Sequence, residues 1–145
     1  MEIDETMIER LAQRIHQNYL ATFAPHGRPW RDLSEDVREA NRAQARDIDA
    51  KLASVGARMD VVASATPFVF TDVEVDRLAK EEHQRWAQQR MRAGWTYNAV
   101  RDDARKQHPM LVSWDELPEL ERAKDRDAVR NIPVVLAHVG LHVVR

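Results

Sequence analysis

Ala79, His83, Trp86 and Arg90 are spaced by four, three and four residues, so in a helix they line a single face. That face carries an imidazole, an indole and a guanidinium, which offer hydrogen bonding, ring stacking and a fork for anions. The same spacing occurs near the N-terminus, where Ala12, His16, Tyr19 and Phe23 follow one another at four, three and four. Brought face to face, the two sets would place a Trp and a Tyr beside two imidazoles and one guanidinium. A planar base could stack in such a cleft, each stack being worth roughly 1 to 3 kcal/mol, with Arg90 on a phosphate and the small alanines leaving room. The same residues admit a plainer account, in which Trp86, Tyr19 and Phe23 are interface core and each His is satisfied by a neighbouring backbone group.

A second cluster follows. Arg101, Arg105, Lys106 and His108 concentrate positive charge in a polar stretch interleaved with Asp102 and Asp103. They could meet an anion, or Asp102 or Asp103 could cap a turn while Lys106 makes a surface ion pair worth under about 1 kcal/mol. Trp95 and Tyr97 add ring surface beside the cluster, or build a small core under the loop together with Trp114. Arg42, Arg46, Arg126 and Arg130 recur at four-residue spacing on their helices, suited to ion pairs across the repeats with Glu9, Asp76 or Glu82, or to phosphate. The candidate ligand-binding set is therefore His16, Tyr19, His83, Trp86, Arg90, Trp95, Tyr97, Lys106 and His108.

Signatures of catalysis are missing. The four glycines form neither a GxGxxG nor a P-loop pattern, and GxSxG and HExxH are absent. His138 and His142 straddle Gly140, where a helix should already have stopped, so they do not make a two-histidine metal face. The Asp102-Asp103 pair lies in polar loop sequence, where nothing need raise a carboxyl to the pKa of a general acid. The chain has no cysteine, which removes thiolate metal sites and thiol nucleophiles together and suits a reducing compartment. No enzymatic activity, metal or cofactor is expected.

The 145 residues carry a net charge of -2, so no general pull toward nucleic acid or acidic membranes is expected. An acidic start and the lack of any apolar window near the roughly 18 residues of a span argue for a cytoplasmic protein. The length suits one domain. Ile8, Leu11, Ile15 and Leu20 predict a helix from about Asp4 to Thr22, ended by Pro25-His26-Gly27-Arg28-Pro29. Ser34 caps a second helix that continues to Gly56. Arg58 to Val62 reads as a short strand, and Thr71-Asp72-Val73-Glu74 as a capping box opening a third helix from Asp72 to about Arg92. Trp95 to Tyr97 looks extended, Asn98 to Gln107 a polar loop. A fourth helix starts near Pro118 and is kinked or split at Pro133, and Leu141 to Val144 is a last strand.

An internal repeat organises these elements. Ile8-Glu9-Arg10-Leu11-Ala12 and His16 match Val75-Asp76-Arg77-Leu78-Ala79 and His83 without a gap. Trp30, Leu33, Glu35, Arg38, Arg42, Arg46, Ile48, Leu52, Val55 and Gly56 likewise match Trp114, Leu117, Glu119, Arg122, Arg126, Arg130, Ile132, Leu136, Val139 and Gly140. Neither half buries much apolar surface alone, so the two should pack on each other about a pseudo-twofold axis. The expected fold is mainly α with short β strands, two pseudo-symmetric helical-hairpin repeats, about 4-62 and 71-145, forming one compact domain over 1-145.

The run Arg77-Leu78-Ala79, His83, Trp86, Gly94-Trp95-Thr96-Tyr97, Arg101-Asp102-Asp103, Lys106, His108-Pro109, Leu117-Pro118 and Asp125-Arg126 resembles the RyR domain. That repeat occurs in pairs in ryanodine-receptor calcium channels and also in bacterial and phage proteins. The first half departs from the pattern by lacking the Gly-Trp-Thr-Tyr and Lys-x-His-Pro region, which makes it a degenerate copy. The resemblance implies a cytoplasmic, mostly helical module whose paired copies hold an adenine nucleotide or aromatic ligand between them, and it brings no catalytic activity. Expected partners are thus a small nucleotide-like ligand or, if the aromatic face is instead buried in assembly, a second copy or another protein.

Overall fold

A computed structural model describes residues 3–145. The first helix, α1, spans Glu5–Phe23, and the Asp4 carboxylate accepts from the Met7 amide at 2.8 Å to satisfy one of the free donors of its first turn. α4, Asp72–Arg92, opens with a complete capping box: Thr71 Oγ1 accepts from the Glu74 amide at 3.2 Å and Glu74 accepts from the Thr71 amide at 2.9 Å. Glu74 also receives Arg145 at 2.7 Å, and that hydrogen bond, followed by the one from Thr71, holds its carboxyl at about 2. Thr71→Ala removes the forward half of the box, and urea unfolding should show a loss of about 1 kcal/mol.

The helix read as continuous from Ser34 to Gly56 is two: α2, Glu35–Arg46, and α3, Ile48–Ser54. The second half divides likewise into α5, Glu119–Arg130, and α6, Ile132–Ala137. Pro133 accounts for the second break, where its ring and missing N–H fit the start of a helix and nowhere deeper. The first break has no proline. Its junction residue is Asp47, and the matching position is Asn131, short side chains that compete with the backbone for hydrogen bonds and so favour helix ends. Each half thus runs long helix, short 3-10 turn (Trp30–Asp32 or Trp114–Glu116), paired helices and strand.

Gly56 and Gly140 follow α3 and α6 at φ +70° and +77°, a left-handed conformation open to glycine at little cost. They turn the chain into β1, Arg58–Asp60, and β4, His142–Val144, which pair antiparallel with Met59 opposite Val143. This ladder ties the ends of the two halves together. β1 is shorter than the reading to Val62, because the Asp60 carboxylate accepts from the Val62 amide at 3.0 Å and turns the chain outward. A second pair, β2 (Thr96–Tyr97) and β3 (Gln107–His108), is parallel and closes the loop after α4.

The core lies between the halves. Leu11 of α1, Leu52 of α3, Leu78 of α4, Leu136 of α6 and Leu141 are fully buried, with Met59 and Val143 from the ladder beneath them. Each such side chain contributes roughly 1.5 to 3 kcal/mol by leaving water. The architecture is mainly α with short β strands, and among the described residues no helix is long and apolar enough to cross a membrane.

Candidate functional site

His16 and His83 are buried, and each is spent in the same way. A carbonyl can only accept, so His16 Nε2–H donates to Arg28 O and His83 Nε2–H to Val112 O, both at 2.7 Å. Each imidazole fastens a long helix to the segment ahead of a 3-10 turn. The tryptophan of that turn is held by arginine. Arg38 donates to Trp30 O and Arg31 O while Arg122 donates to Trp114 O and Asp115 O. Arg42 pairs with Glu9 at 2.7 Å and Arg126 with Asp76 at 2.8 Å, each guanidinium also lying over the indole of its own half. Arg46 reaches Glu5 and Glu39, and Arg130 lies within 3.9 Å of Asp72. These four arginines are therefore engaged in ion pairs with acids of the long helices.

Beyond the histidines the two faces open onto one cavity of about 720 Å³, within the size range of small-molecule sites. His16, Tyr19, His83, Trp86, Arg90 and His108 all line it. The rings are arranged as two groups. Tyr19 stacks on His16 at 6.4 Å and tilts on Phe23 at 6.0 Å, with Lys124 of α5 over its face at 6.0 Å. Trp86 stacks on His83 at 5.7 Å and meets the edge of His108 at 5.0 Å. Tyr19 remains 41% exposed, so its phenol stays reachable from water.

One end of the cavity is cationic. The Arg90 guanidinium lies between two indoles, 6.0 Å from the Trp86 centroid and 5.2 Å from that of Trp95, and makes no hydrogen bond or ion pair among the described residues. Burial and then the charge of Arg101 lower its pKa. Arg101 itself pairs with Asp103 at 2.7 Å. His108 is lowered by burial first and then by Arg101 and Arg90, which leaves the ring neutral at pH 7. Its Nδ1 accepts from the Met110 amide at 3.0 Å, so the proton sits on Nε2, a donor. A half-buried arginine with no partner beside a neutral imidazole donor is an arrangement that an anion would complete.

The other end meets a network of buried charges. Lys51 Nζ contacts Glu82 at 2.8 Å and Asp47 at 2.6 Å, and Arg85 binds both Glu82 oxygens at 2.8 and 2.7 Å. Burial would raise the Glu82 carboxyl, but the hydrogen bonds and charges of Arg85 and Lys51 outweigh it and keep the pKa below the usual range. Glu82 was a candidate partner for the repeated arginines, yet it faces the core and pairs with Lys51 and Arg85. Asp125 stands beside this network and lines the cavity. Burial, then the charges of Glu82 and Glu121, push it up to about 8. A signal was present: Glu82 falls on the stripe Val75, Leu78, Ala79, and Asp125 four residues before Val129, positions where a charge demands a buried partner.

Three candidates lie outside the cavity lining. Lys106, with φ +54°, donates Nζ to Ala93 O at 2.8 Å and so closes the C-terminus of α4 rather than meeting an ion. Tyr97 on β2 is 58% exposed. Trp95 backs Arg90 and lies 6.2 Å from His108, supporting the cationic end from behind. Asp102 caps the loop by accepting from the Arg105 amide at 3.2 Å. The stretch that carries this cationic end, from the Thr71 cap through α4, the β2–β3 loop, α5 and α6, is also the part that matches a family model. That model is described as the RyR domain and matches residues 71–145, so the chain belongs to the RyR domain family.

Proposed function

We propose that this RyR-domain protein is a non-enzymatic binding module of the bacterial or phage type. It senses a small nucleotide-like ligand of the adenine kind in the cleft between its two repeats. The observation that carries the reading is the single cavity of about 720 Å³ onto which rings from both halves and the unpartnered Arg90 open together. A base would stack on Trp86 and approach Tyr19, with its phosphate on Arg90 and His108 Nε2–H. In this role the protein works in the cytoplasm and needs neither nucleic acid nor a membrane.

A thermal-shift panel of ATP, ADP-ribose, cyclic nucleotides and adenosine tests it. A ligand at a hundred times its Kd should add about 2.7 kcal/mol of apparent stability, and Trp86→Ala should weaken its binding about tenfold. The exposure of Tyr19 favours a second reading, in which the aromatic face is covered by another copy or a protein partner. No shift with any ligand, together with a dimeric mass by light scattering, would select that one.

A further inference from the structure

Glu82, Trp86 and Arg90 follow at four-residue intervals on α4, so a rise of about 1.5 Å per residue sets the Cα atoms of Glu82 and Arg90 about 12 Å apart along the axis with Trp86 between them. Asp125 belongs to the Glu82 end, since Glu82, Glu121, Arg85 and Lys51 are the charges that act on it. The other charges at that end are matched: Glu82 with Lys51 and Arg85, and Glu121 with Lys124 at 3.0 Å. Asp125 makes no side-chain hydrogen bond or ion pair among the described residues although it lines the cavity. Arg90 and Asp125 are thus two half-buried ionisable side chains without partners at opposite ends of one aromatic-walled space.

Resting on the nucleotide reading above, we propose that Asp125 reads the edge of the base while Arg90 holds the phosphate. The Asp125 carboxyl then makes a two-point hydrogen-bonded pair with the exocyclic amine and adjacent ring nitrogen of an amino-substituted heterocycle stacked on Trp86. The ligand class is a phosphorylated nucleoside whose base presents a donor and an acceptor side by side. With its pKa pushed up to about 8, the carboxyl carries a proton at neutral pH. Its hydroxyl can donate to the ring nitrogen while its carbonyl oxygen accepts from the amine, whereas a carboxylate could only accept.

Calorimetric titration of the whole chain with ATP, and with purine riboside 5′-triphosphate, which lacks the amine, tests the assignment. The amine-free analogue should bind about tenfold more weakly, and Asp125→Ala should weaken ATP about 10- to 100-fold. Asp125→Asn, whose amide keeps a donor and an acceptor, should recover ATP binding to within about threefold. If the wild type binds ATP but tolerates both loss of the amine and Asp125→Ala, the base-reading role is overturned and the nucleotide site stands. If the wild type does not bind ATP, both fall. Should Asp125→Ala fail to fold by circular dichroism, the comparison of the two ligands on the wild type decides.

Discussion

Glu82→Ala is expected to destabilise the protein by about 3 kcal/mol in urea unfolding at pH 7. The carboxylate is buried between Lys51 and Arg85, and Lys51 is itself only 3% exposed. Removing the anion leaves the buried Lys51 and the mostly buried Arg85 without their shared counter-charge, and the uncompensated charge costs far more than the lost contacts. The loss stays at the low end for a broken buried pair because Lys51 keeps Asp47 at 2.6 Å. The double substitution Glu82→Leu with Lys51→Met should regain part of the loss, since it exchanges one ion pair for apolar volume while Arg85 stays without its acid. A double variant as unstable as Glu82→Ala would show that the network is needed for something other than neutralising itself.

Asp125→Asn is expected to do the opposite and raise stability, by about 2 kcal/mol or roughly 6 °C at pH 8. The sign follows from proton binding. The folded carboxyl titrates at about 8, an unfolded one in the ordinary carboxylate range, so between those values the folded chain holds more protons than the unfolded one. Stability contributed by this group is full below the unfolded value and falls as pH rises through that window toward 8. Asn removes the penalty without changing the shape, so variant and wild type should converge near pH 4 and separate progressively above it. A difference in melting temperature that is the same at pH 4 and pH 8 would rule out a raised Asp125. A carboxyl kept at a cost in stability is expected where function needs it, which accords with the proposed role of Asp125 in the cavity.

Much of this protein could be read from residue order. The helical spacing of Ile8, Leu11, Ile15 and Val75, Leu78, the capping box at Thr71, and the stops at Gly56, Gly94 and Gly140 are local signals. The forces behind them act within a turn or two of chain, so their outcome is written beside them. The matching of Trp30 with Trp114, and of Arg42 with Arg126, pointed to ion pairs for the arginines but across the repeats, whereas each pairs with an acid on the long helix of its own half, because the paired helices fold back on that helix first. The break at Asp47 has no local signature, because Asp is tolerated inside helices and ends them only when its neighbours permit.

What the chain order left open was which side chains share a space. His16 and His83 carry the right chemistry for a ligand, but each Nε2–H is spent on a carbonyl 12 or 29 residues away, a fact set by how loops return to the helices. Lys106 was one basic residue among four until the backbone at φ +54° aimed its amine at the end of α4. Asp125 belongs to the family-like run and Glu82 to an apolar stripe, yet neither context says what the carboxyl meets. Their importance arises from α4, α5 and α3 meeting so that carboxyls, Lys51 and Arg85 desolvate one another, and the free energy of a charge depends on its surroundings in three dimensions rather than on its neighbours in sequence.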